Sequence, residues 1–129
     1  MPENKVIVRR FYDEVLNAGD LAVADEIVTP GFAPRGGRVT GPEALRETAR
    51  HLRSAVPDLR FDIEDMIGEG DRVATRWTLR GTHEGDFFGL PATGRPLEVR
   101  ACVIFRLEDG KVAEIRPVID SGSLPAGRP

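Results

Sequence analysis

A single aspartate near the C-terminus is the first candidate for proton transfer in this chain. Asp120 follows the apolar pair Val118-Ile119, so its carboxyl group is expected to lie among apolar side chains. Loss of hydration disfavours the charged form of a carboxyl group, which suits a general acid or base. The alternative is a solvated turn residue that makes a local hydrogen bond beside Ser121-Gly122.

The two histidines of the chain are the next candidates. His83 comes where a predicted strand enters a glycine-rich loop, within reach of Glu84 and Asp86, and an imidazole there can move a proton near neutral pH. The alternative for His83 is a hydrogen bond that anchors the loop. His51 lies beside the apolar face of a predicted helix, where we expect it to pack or to face solvent.

Arg116 is the cation expected closest to Asp120. Arg116 and Asp120 are both even-numbered positions of one predicted strand, so alternation predicts their side chains on the same side of the sheet. A buried arginine there would hold the carboxylate ionised and make Asp120 a base rather than an acid. Arg116 is also a candidate to polarise a substrate carbonyl. Pro117 lacks an amide hydrogen, which predicts an edge position, a bulge or a bend.

Large apolar side chains are the candidates to form a cavity that binds a small molecule. Alternation along residues 73–80 puts Trp77 on the inner face of its strand. Trp77 either fills the core or lines a cavity, because a cavity in so small a protein is carved from the core itself. The residues predicted to line it are Phe11, Phe32, Met66, Trp77, Phe88, Val103 and Phe105.

Helical periodicity is confined to the first half of the chain. Apolar residues at helical spacing predict an amphipathic helix over 3–17 that ends at Gly19, and a shorter helix capped by Asp20 that runs to about Val28. A third helix is predicted from Gly41-Pro42 to Pro57. Residues 32–35 between them are expected to form a short strand or an extended turn.

Four β-type segments follow the helices, over residues 59–67, 72–82, 97–107 and 112–119. The turn sequences Gly68-Glu69-Gly70-Asp71 and Glu108-Asp109-Gly110-Lys111 separate two pairs of them. Helices first and strands later predict an α+β fold, with three helices packed on a strongly curved antiparallel sheet that encloses a pocket. We expect one domain over 1–129, with 121–129 as a flexible tail.

Composition excludes several classes of protein. The chain has 129 residues and a formal net charge of −3, with its arginines spread throughout, which argues against nucleic-acid binding. Its one cysteine, Cys102, cannot form an internal disulfide, and its start is too charged for a signal peptide, so a cytoplasmic location is expected. No apolar stretch is long enough for a membrane span, and no Cys/His spacing predicts a metal site.

The segment from Arg76 to Arg95 carries the pattern W-x-L-x-G-T-H-x-G-x-F-x-G-x-P-x-T-G-R. This pattern resembles the SnoaL-like polyketide cyclases, also called ester cyclases, of the NTF2-like superfamily. The resemblance extends from NKVIVRRFYDEVLNAGD to FRLEDGKVAEIRPVID, and so covers nearly the whole chain. It implies a cone-shaped sheet around a pocket and subunits that pair through the outer sheet face.

The resemblance also implies chemistry without a metal or cofactor, in which a late aspartate serves as acid and base in an intramolecular aldol closure of a polyketide ester. By position, Asp120 is the residue that looks like this aspartate. The chain departs from many relatives at Glu114-Ile115-Arg116-Pro117 and Phe32-Ala33-Pro34-Arg35, where those relatives carry histidines and an aromatic residue.

Two hypotheses of different kinds follow. The first is a cofactor-independent enzyme acting on an apolar small molecule, by ring closure or by epoxide opening or isomerisation, in which Asp120 transfers a proton and His83 or Arg116 polarises a carbonyl. The second is a non-catalytic module that binds a small molecule or dimerises. A homodimer is expected in either case, since Cys102 and Ile104 make the outer strand face partly apolar.

Overall fold

The protein is an α+β domain in which helices cover one face of a four-stranded antiparallel sheet. Its structure, a computed structural model, describes residues 2–34 and 38–124. The strands are β1 (Arg60–Glu69), β2 (Arg72–Thr82), β3 (Pro96–Glu108) and β4 (Lys111–Ile119), and they follow one another in chain order across a curved sheet that does not close. The predicted fold class is confirmed.

The first helix changes its geometry midway. Helix α1 (Pro2–Arg10) continues into a π-helical segment over Phe11–Asn17, where the prediction was one amphipathic helix. The wider π turn buries two adjacent pairs, Phe11 with Tyr12 and Val15 with Leu16. Phe11 and Tyr12 contact the sheet at Phe105 and Thr75, and π turns of this kind are often found at functional sites.

Two further helices complete the cover. The second begins as a 3-10 turn over Leu21–Val23 and continues as α2 (Ala24–Ile27), and the predicted Asp20 side-chain cap makes no capping hydrogen bond. Helix α3 (Pro42–Ala55) has proline in its first turn, as predicted, and buries an alanine- and leucine-rich face. Arg53 of α3 donates through Nη1 to the carbonyl oxygens of Leu16 and Asn17 at 2.9 Å each, which ties α3 to the end of the π-helical segment.

Two glycines let the loop after β2 pack against the end of α3. A Cβ atom on Gly81 would lie 2.2 Å from Val56 Cγ1, and one on Gly85 would lie 2.7 Å from the Ser54 carbonyl oxygen. The amides of Glu84 and Gly85 donate to the Ala55 carbonyl oxygen at 2.9 and 3.0 Å. The glycines that open this loop are therefore required by close packing.

A β-bulge interrupts the pairing of β3 with β4. Arg106 pairs with Glu114 and the next residue, Leu107, pairs with Val112, so Ala113 is the extra residue. Because side chains alternate along a strand, one extra residue exchanges the two faces. Val112 is buried before the bulge, and the inward positions beyond it are the odd-numbered ones.

The chain after β4 forms a 3-10 turn over Ser121–Ser123. Leu124 then returns toward the sheet and packs against the core. These residues belong to the segment predicted as a flexible tail, whose remainder, 125–129, lies outside the described residues, as does Arg35 of the predicted extended turn. No helix in the described parts of the chain is long and apolar enough to cross a membrane.

Candidate functional site

A largely apolar cavity of about 510 Å³ lies between the helices and the inner face of the sheet. Its walls come from the π-helical segment, α3, all four strands and the loop after β2. Five of the seven predicted lining residues face it. They are Phe11, Trp77, Phe88, Val103 and Phe105.

The other two predicted lining residues lie elsewhere. Phe32 is fully buried, with its ring centroid 6.3 Å from that of Phe11, and so belongs to the core behind the wall. Met66 lies on β1 beside the start of the chain, in a separate groove with Lys5, Val6 and Arg9. The alternation rule finds inward residues, but it does not separate those that fill the core from those that border a space.

Tyr12, Thr75 and Trp77 bring polar side-chain atoms into the apolar interior beside the cavity. Tyr12 Oη lies 3.1 Å from Thr75 Oγ1, and Thr75 Oγ1 donates to the Val103 carbonyl oxygen at 3.4 Å. Trp77 is 8% exposed, and its indole Nε1 is buried with no hydrogen-bond partner among the described residues. Tyr12 and Trp77 both line the cavity, with their ring centroids 6.5 Å apart.

Burial keeps the Tyr12 hydroxyl protonated. Loss of hydration raises the pKa of Tyr12 well above its ordinary value, and the nearby Thr75 hydroxyl and Trp77 indole oppose that rise only in part. Tyr12 is thus a neutral hydrogen-bonding group in the cavity.

Asp120 lies outside the set of residues that line the cavity. Its side chain is 50% exposed, with Oδ2 3.3 Å from Arg100 Nη2. Its Oδ1 accepts from the Gly122 amide at 3.0 Å, which caps the 3-10 turn. The surroundings are those of the solvated turn residue, and the expected apolar environment is absent. Ile119 and Leu124, on either side of it along the chain, do line the cavity.

The bulge at Ala113 explains this placement. Ile115, Pro117 and Ile119 line the cavity, so Asp120 and Arg116 share the opposite, outer face. Asp120 and Arg116 share one side of the sheet, as predicted, but it is the outer side, so Asp120 does not lie in the apolar surroundings expected for it. The Arg116 side chain is 70% exposed and pairs with Glu114 at 3.1 Å. In this arrangement it does not reach the cavity.

His83 is fully buried and holds the loop that follows β2. Its Nε2 lies 3.2 Å from the Leu90 carbonyl oxygen and its Nδ1 lies 3.2 Å from Thr93 Oγ1. A carbonyl oxygen only accepts, so Nε2 carries a hydrogen and donates it to Leu90, while Nδ1 shares a hydrogen bond with the Thr93 hydroxyl. Both nitrogens are used within the loop, which favours the anchoring role over proton transfer. Leu90 lines the cavity, so His83 helps to fix its wall.

A second hollow, of about 580 Å³, adjoins the apolar cavity and shares Pro34 and Thr48 with it. Arg38, Glu47 and His51 make it more polar. His51 Nε2 accepts from the amide of Phe88 at 3.3 Å, and their rings lie 4.6 Å apart. We place the candidate site in the apolar cavity, because its walls include all four strands and are formed mostly by apolar side chains.

Sequence reasoning missed Tyr12, although a signal for it was present. Tyr12 is the chain's one tyrosine, and it lies on the apolar face of a helix, where a buried phenol usually has a hydrogen-bond partner. Among the described lining residues there is no carboxylate and no imidazole. Within residues 2–34 and 38–124, no group of three or more His, Cys, Asp or Glu side chains could hold a metal ion.

Comparison with known proteins agrees with this architecture. The family model for the SnoaL-like polyketide cyclase matches residues 6–126. Aklanonic acid methyl ester cyclase DauD from Streptomyces sp. (strain C5) is 31% identical in an alignment over 117 residues that covers 85% of this chain and 71% of the relative. Aklanonic acid methyl ester cyclase DnrD from Streptomyces peucetius is also 31% identical over 117 residues, covering 85% and 79%.

Among solved structures, TsrD from Streptomyces laurentii superposes with a TM-score of 0.84 at 29% identity, covering 95% of this chain and 91% of that one. The family match, the curated relatives and the fold thus agree with the resemblance carried by the segment from Arg76 to Arg95. The chain belongs to the SnoaL-like polyketide cyclase family.

Proposed function

We propose that this protein is a cofactor-independent cyclase that closes a ring in an apolar, carbonyl-bearing small molecule. The observation that carries the proposal is the apolar cavity of about 510 Å³ in a chain 31% identical to two aklanonic acid methyl ester cyclases. The space is of the size usual for small-molecule sites, and its wall is apolar with a few polar groups at fixed places.

The proposed reaction is an intramolecular aldol addition. A base removes a proton from a carbon next to one carbonyl group, and the resulting enolate carbon attacks a second carbonyl carbon of the same molecule. One carbon–carbon bond forms, the π electrons of the attacked carbonyl move to its oxygen, and that oxygen takes up a proton. Substrate and product are therefore isomers of equal mass.

Asp120 is the proton-transferring group of this proposal. It lies between Ile119 and Leu124, which both line the cavity, and its half-exposed side chain has room to turn. To act, its carboxylate must leave Arg100 and the Gly122 amide and turn toward the cavity. His83 is assigned a positioning role, since it holds the loop that carries Leu90.

The test is turnover of aklanonic acid methyl ester, the substrate named for the two relatives, followed by chromatography and mass spectrometry. We expect a product of unchanged mass and altered retention. Asp120→Asn should reduce turnover by roughly 10²–10⁴-fold while leaving the fold intact. Glu114→Gln is the matched control, because Glu114 is an ion-paired carboxylate on the outer face of β4. Equal turnover in the two variants would remove Asp120 from the mechanism.

A second candidate function is a non-catalytic small-molecule carrier. One observation favours it: among the described residues, the cavity wall has no carboxylate or imidazole, and Asp120 is held outside by two partners. Tight binding of the ester without any change in its retention would support the carrier and contradict the cyclase.

We further propose that two copies pair through the outer face of the sheet. Cys102 and Val118 are direct partners on β3 and β4, and both are exposed, as is Ile104. If this face is covered, Cys102 should react slowly with thiol reagents, and Val118→Asp should convert the dimer to a monomer in sedimentation. A wild-type chain that sediments as a monomer at micromolar concentration would contradict the pairing.

A further inference from the structure

The tip of the loop after β2 breaks a local rule of turn chemistry. Phe87 and Leu90 exchange backbone hydrogen bonds at 2.9 and 3.0 Å. The two residues between them, Phe88 and Gly89, form a tight turn with φ values of 49° and 91°, as in a type I′ turn. Such a turn favours asparagine, aspartate or glycine at its first central position, and a bulky side chain with positive φ is strained there.

A second turn of the molecule takes the same conformation with a favoured residue. Between β3 and β4, Asp109 and Gly110 have φ values of 51° and 78°. In the parts of the chain that the structure describes, Phe88 and Asp109 are the only residues other than glycine with positive φ. Backbone strain that a turn itself does not require is found most often at functional sites. The benefit of a phenylalanine at position 88 therefore lies outside the turn.

The Phe88 side chain reaches both the cavity and the solvent. It lines the cavity and is 43% exposed, and Ile119 at the end of β4 is a second large apolar side chain of the wall that is exposed, at 40%. Wall residues of this kind mark the place where a cavity opens to solvent. Phe88 thus lies at the mouth, on a turn whose base is fixed, since His83 also bonds the Leu90 carbonyl oxygen at 3.2 Å.

His51 on α3 holds the tip of this turn. Its Nε2 accepts from the Phe88 amide at 3.3 Å, and the centroids of the two rings lie 4.6 Å apart. We propose that Phe88 closes the mouth of the cavity over a bound apolar ring, and that His51 is the positioning residue that keeps Phe88 in place. This inference rests on the proposed function in taking the cavity as the ligand site.

Exchange of Phe88 for a residue that the turn favours is the first test. Phe88→Asn removes the ring, so 1-naphthol, a small apolar aromatic probe, should enter and leave the cavity faster. We expect its dissociation rate constant to rise at least roughly five-fold in stopped-flow fluorescence, and its association rate constant to rise as well. The melting temperature should not fall, because relief of the strained turn offsets the loss of a half-exposed ring.

Asp109→Phe is the matched control, because it puts the same side chain into the same turn conformation outside the cavity wall. It should lower the melting temperature by roughly 2–6 °C and leave both rate constants within about two-fold of wild type. An unchanged melting temperature would contradict the strain on which the inference depends.

Two variants of His51 test its positioning role. His51→Leu removes the acceptor for the Phe88 amide, so 1-naphthol should dissociate at least roughly three-fold faster. His51→Gln keeps an accepting oxygen on a side chain of similar length, and its dissociation rate should stay closer to that of the wild-type chain. Equal dissociation rates in the two variants would overturn the role of His51.

The outcomes distinguish this inference from the proposed function. An unchanged dissociation rate in Phe88→Asn would overturn the closure by Phe88, and so would faster dissociation without faster association, which indicates a lost contact and not an opened mouth. The cyclase proposal would stand in both cases if the wild-type chain turns over the ester. If 1-naphthol does not bind to the wild-type chain, the cavity does not accept apolar rings, and the inference and the cyclase proposal fail together.

Discussion

Two polar regions of the molecule stand in contrast: the inner cluster of Tyr12, Thr75 and Trp77, buried beside the cavity, and the end of β4 at Asp120. The inner cluster is buried, uncharged and incompletely paired. The Asp120 carboxylate is half exposed and has two partners, Arg100 and the Gly122 amide. The polar atoms of the inner cluster are shielded from solvent, whereas the Asp120 carboxylate is open to solvent and must give up two contacts before it can act on a ligand.

One residue separates these two environments. Without the extra residue Ala113, the alternation that buries Val112 would continue along β4 and bring the even-numbered side chains onto the cavity face. With it, the apolar Ile115, Pro117 and Ile119 face the cavity. The bulge therefore decides that the cavity wall along β4 is apolar and that Asp120 lies outside.

The largest effect is expected from deletion of Ala113. The shortened strand would have to bring Glu114 and Arg116 onto the apolar cavity face, and burial of charged groups there is strongly unfavourable. We expect a loss of ~3 kcal/mol or more, seen as failure to fold or as a large drop in melting temperature. Ala113→Gly keeps the extra residue and should cost only ~0.5–1 kcal/mol. Equal stability of the deletion variant and the wild-type chain would show that the bulge does not control the strand faces.

Truncation of Trp77, in the inner cluster, should lower the free energy of unfolding more than truncation of Asp120, at the end of β4. Trp77→Ala removes a ring that is 8% exposed and packs 4.8 Å from the Phe61 centroid, so we expect it to lower the free energy of unfolding by ~3 kcal/mol. Asp120→Ala breaks an exposed ion pair and a turn hydrogen bond, and should cost about 1 kcal/mol or less. Denaturant unfolding curves measure both. If Asp120→Ala lowers the free energy of unfolding more than Trp77→Ala does, Asp120 has a structural role.

The inner cluster should make the protein sensitive to alkali. Because burial raises the pKa of Tyr12, the folded state disfavours the tyrosinate. The stability due to the neutral form is complete below the unfolded value of roughly 10 and is lost as pH rises above it. Tyr12 is the only tyrosine, so absorbance near 295 nm should show tyrosinate only when the chain unfolds. A native titration with an ordinary midpoint would show that the phenol is accessible to water.

Asp58, between α3 and β1, should make the protein sensitive to acid instead, and with the smallest effect. The Asp58 carboxylate accepts from the amide and hydroxyl of Thr82 at 2.8 and 2.9 Å, and these bonds lower the pKa of Asp58. The stability they give is present above the unfolded value of roughly 4 and is lost as pH falls through the lower folded value. Thermal melts between pH 6 and pH 2 should show a smaller decline for Asp58→Asn than for the wild-type chain. Parallel declines would remove Asp58 from the acid response.

Much of the fold was predictable because local signals agreed with one another. All four strands lie within two residues of their predicted bounds, and the turn between β3 and β4 uses Asp109 and Gly110 at φ values of 51° and 78°, as its sequence indicates. Proline at the start of α3 likewise marked its first turn. The family was predicted from the segment around His83 and is confirmed.

The candidate site was predictable only in part. Inward residues of β2 and β3 follow simple alternation, so Trp77, Val103 and Phe105 were found. Which side chains of β4 face the cavity could not be predicted, because a bulge is set by pairing with the neighbouring strand and leaves no clear mark in the sequence around Ala113. Tyr12 was missed because its role depends on Thr75, which is 63 residues away along the chain.

The most direct test of the central claim, that the cavity is the binding site, uses two neighbours on β3. Val103 faces the cavity, whereas Ile104 faces outward and is 45% exposed. The probe is the small aromatic molecule 1-naphthol, since the cavity is lined mostly by apolar side chains. Val103→Trp should fill the space and weaken binding of this probe at least roughly 100-fold by calorimetry, while Ile104→Trp should leave the affinity within about two-fold of wild type. Equal affinities in the two variants would contradict the account and place the ligand site elsewhere.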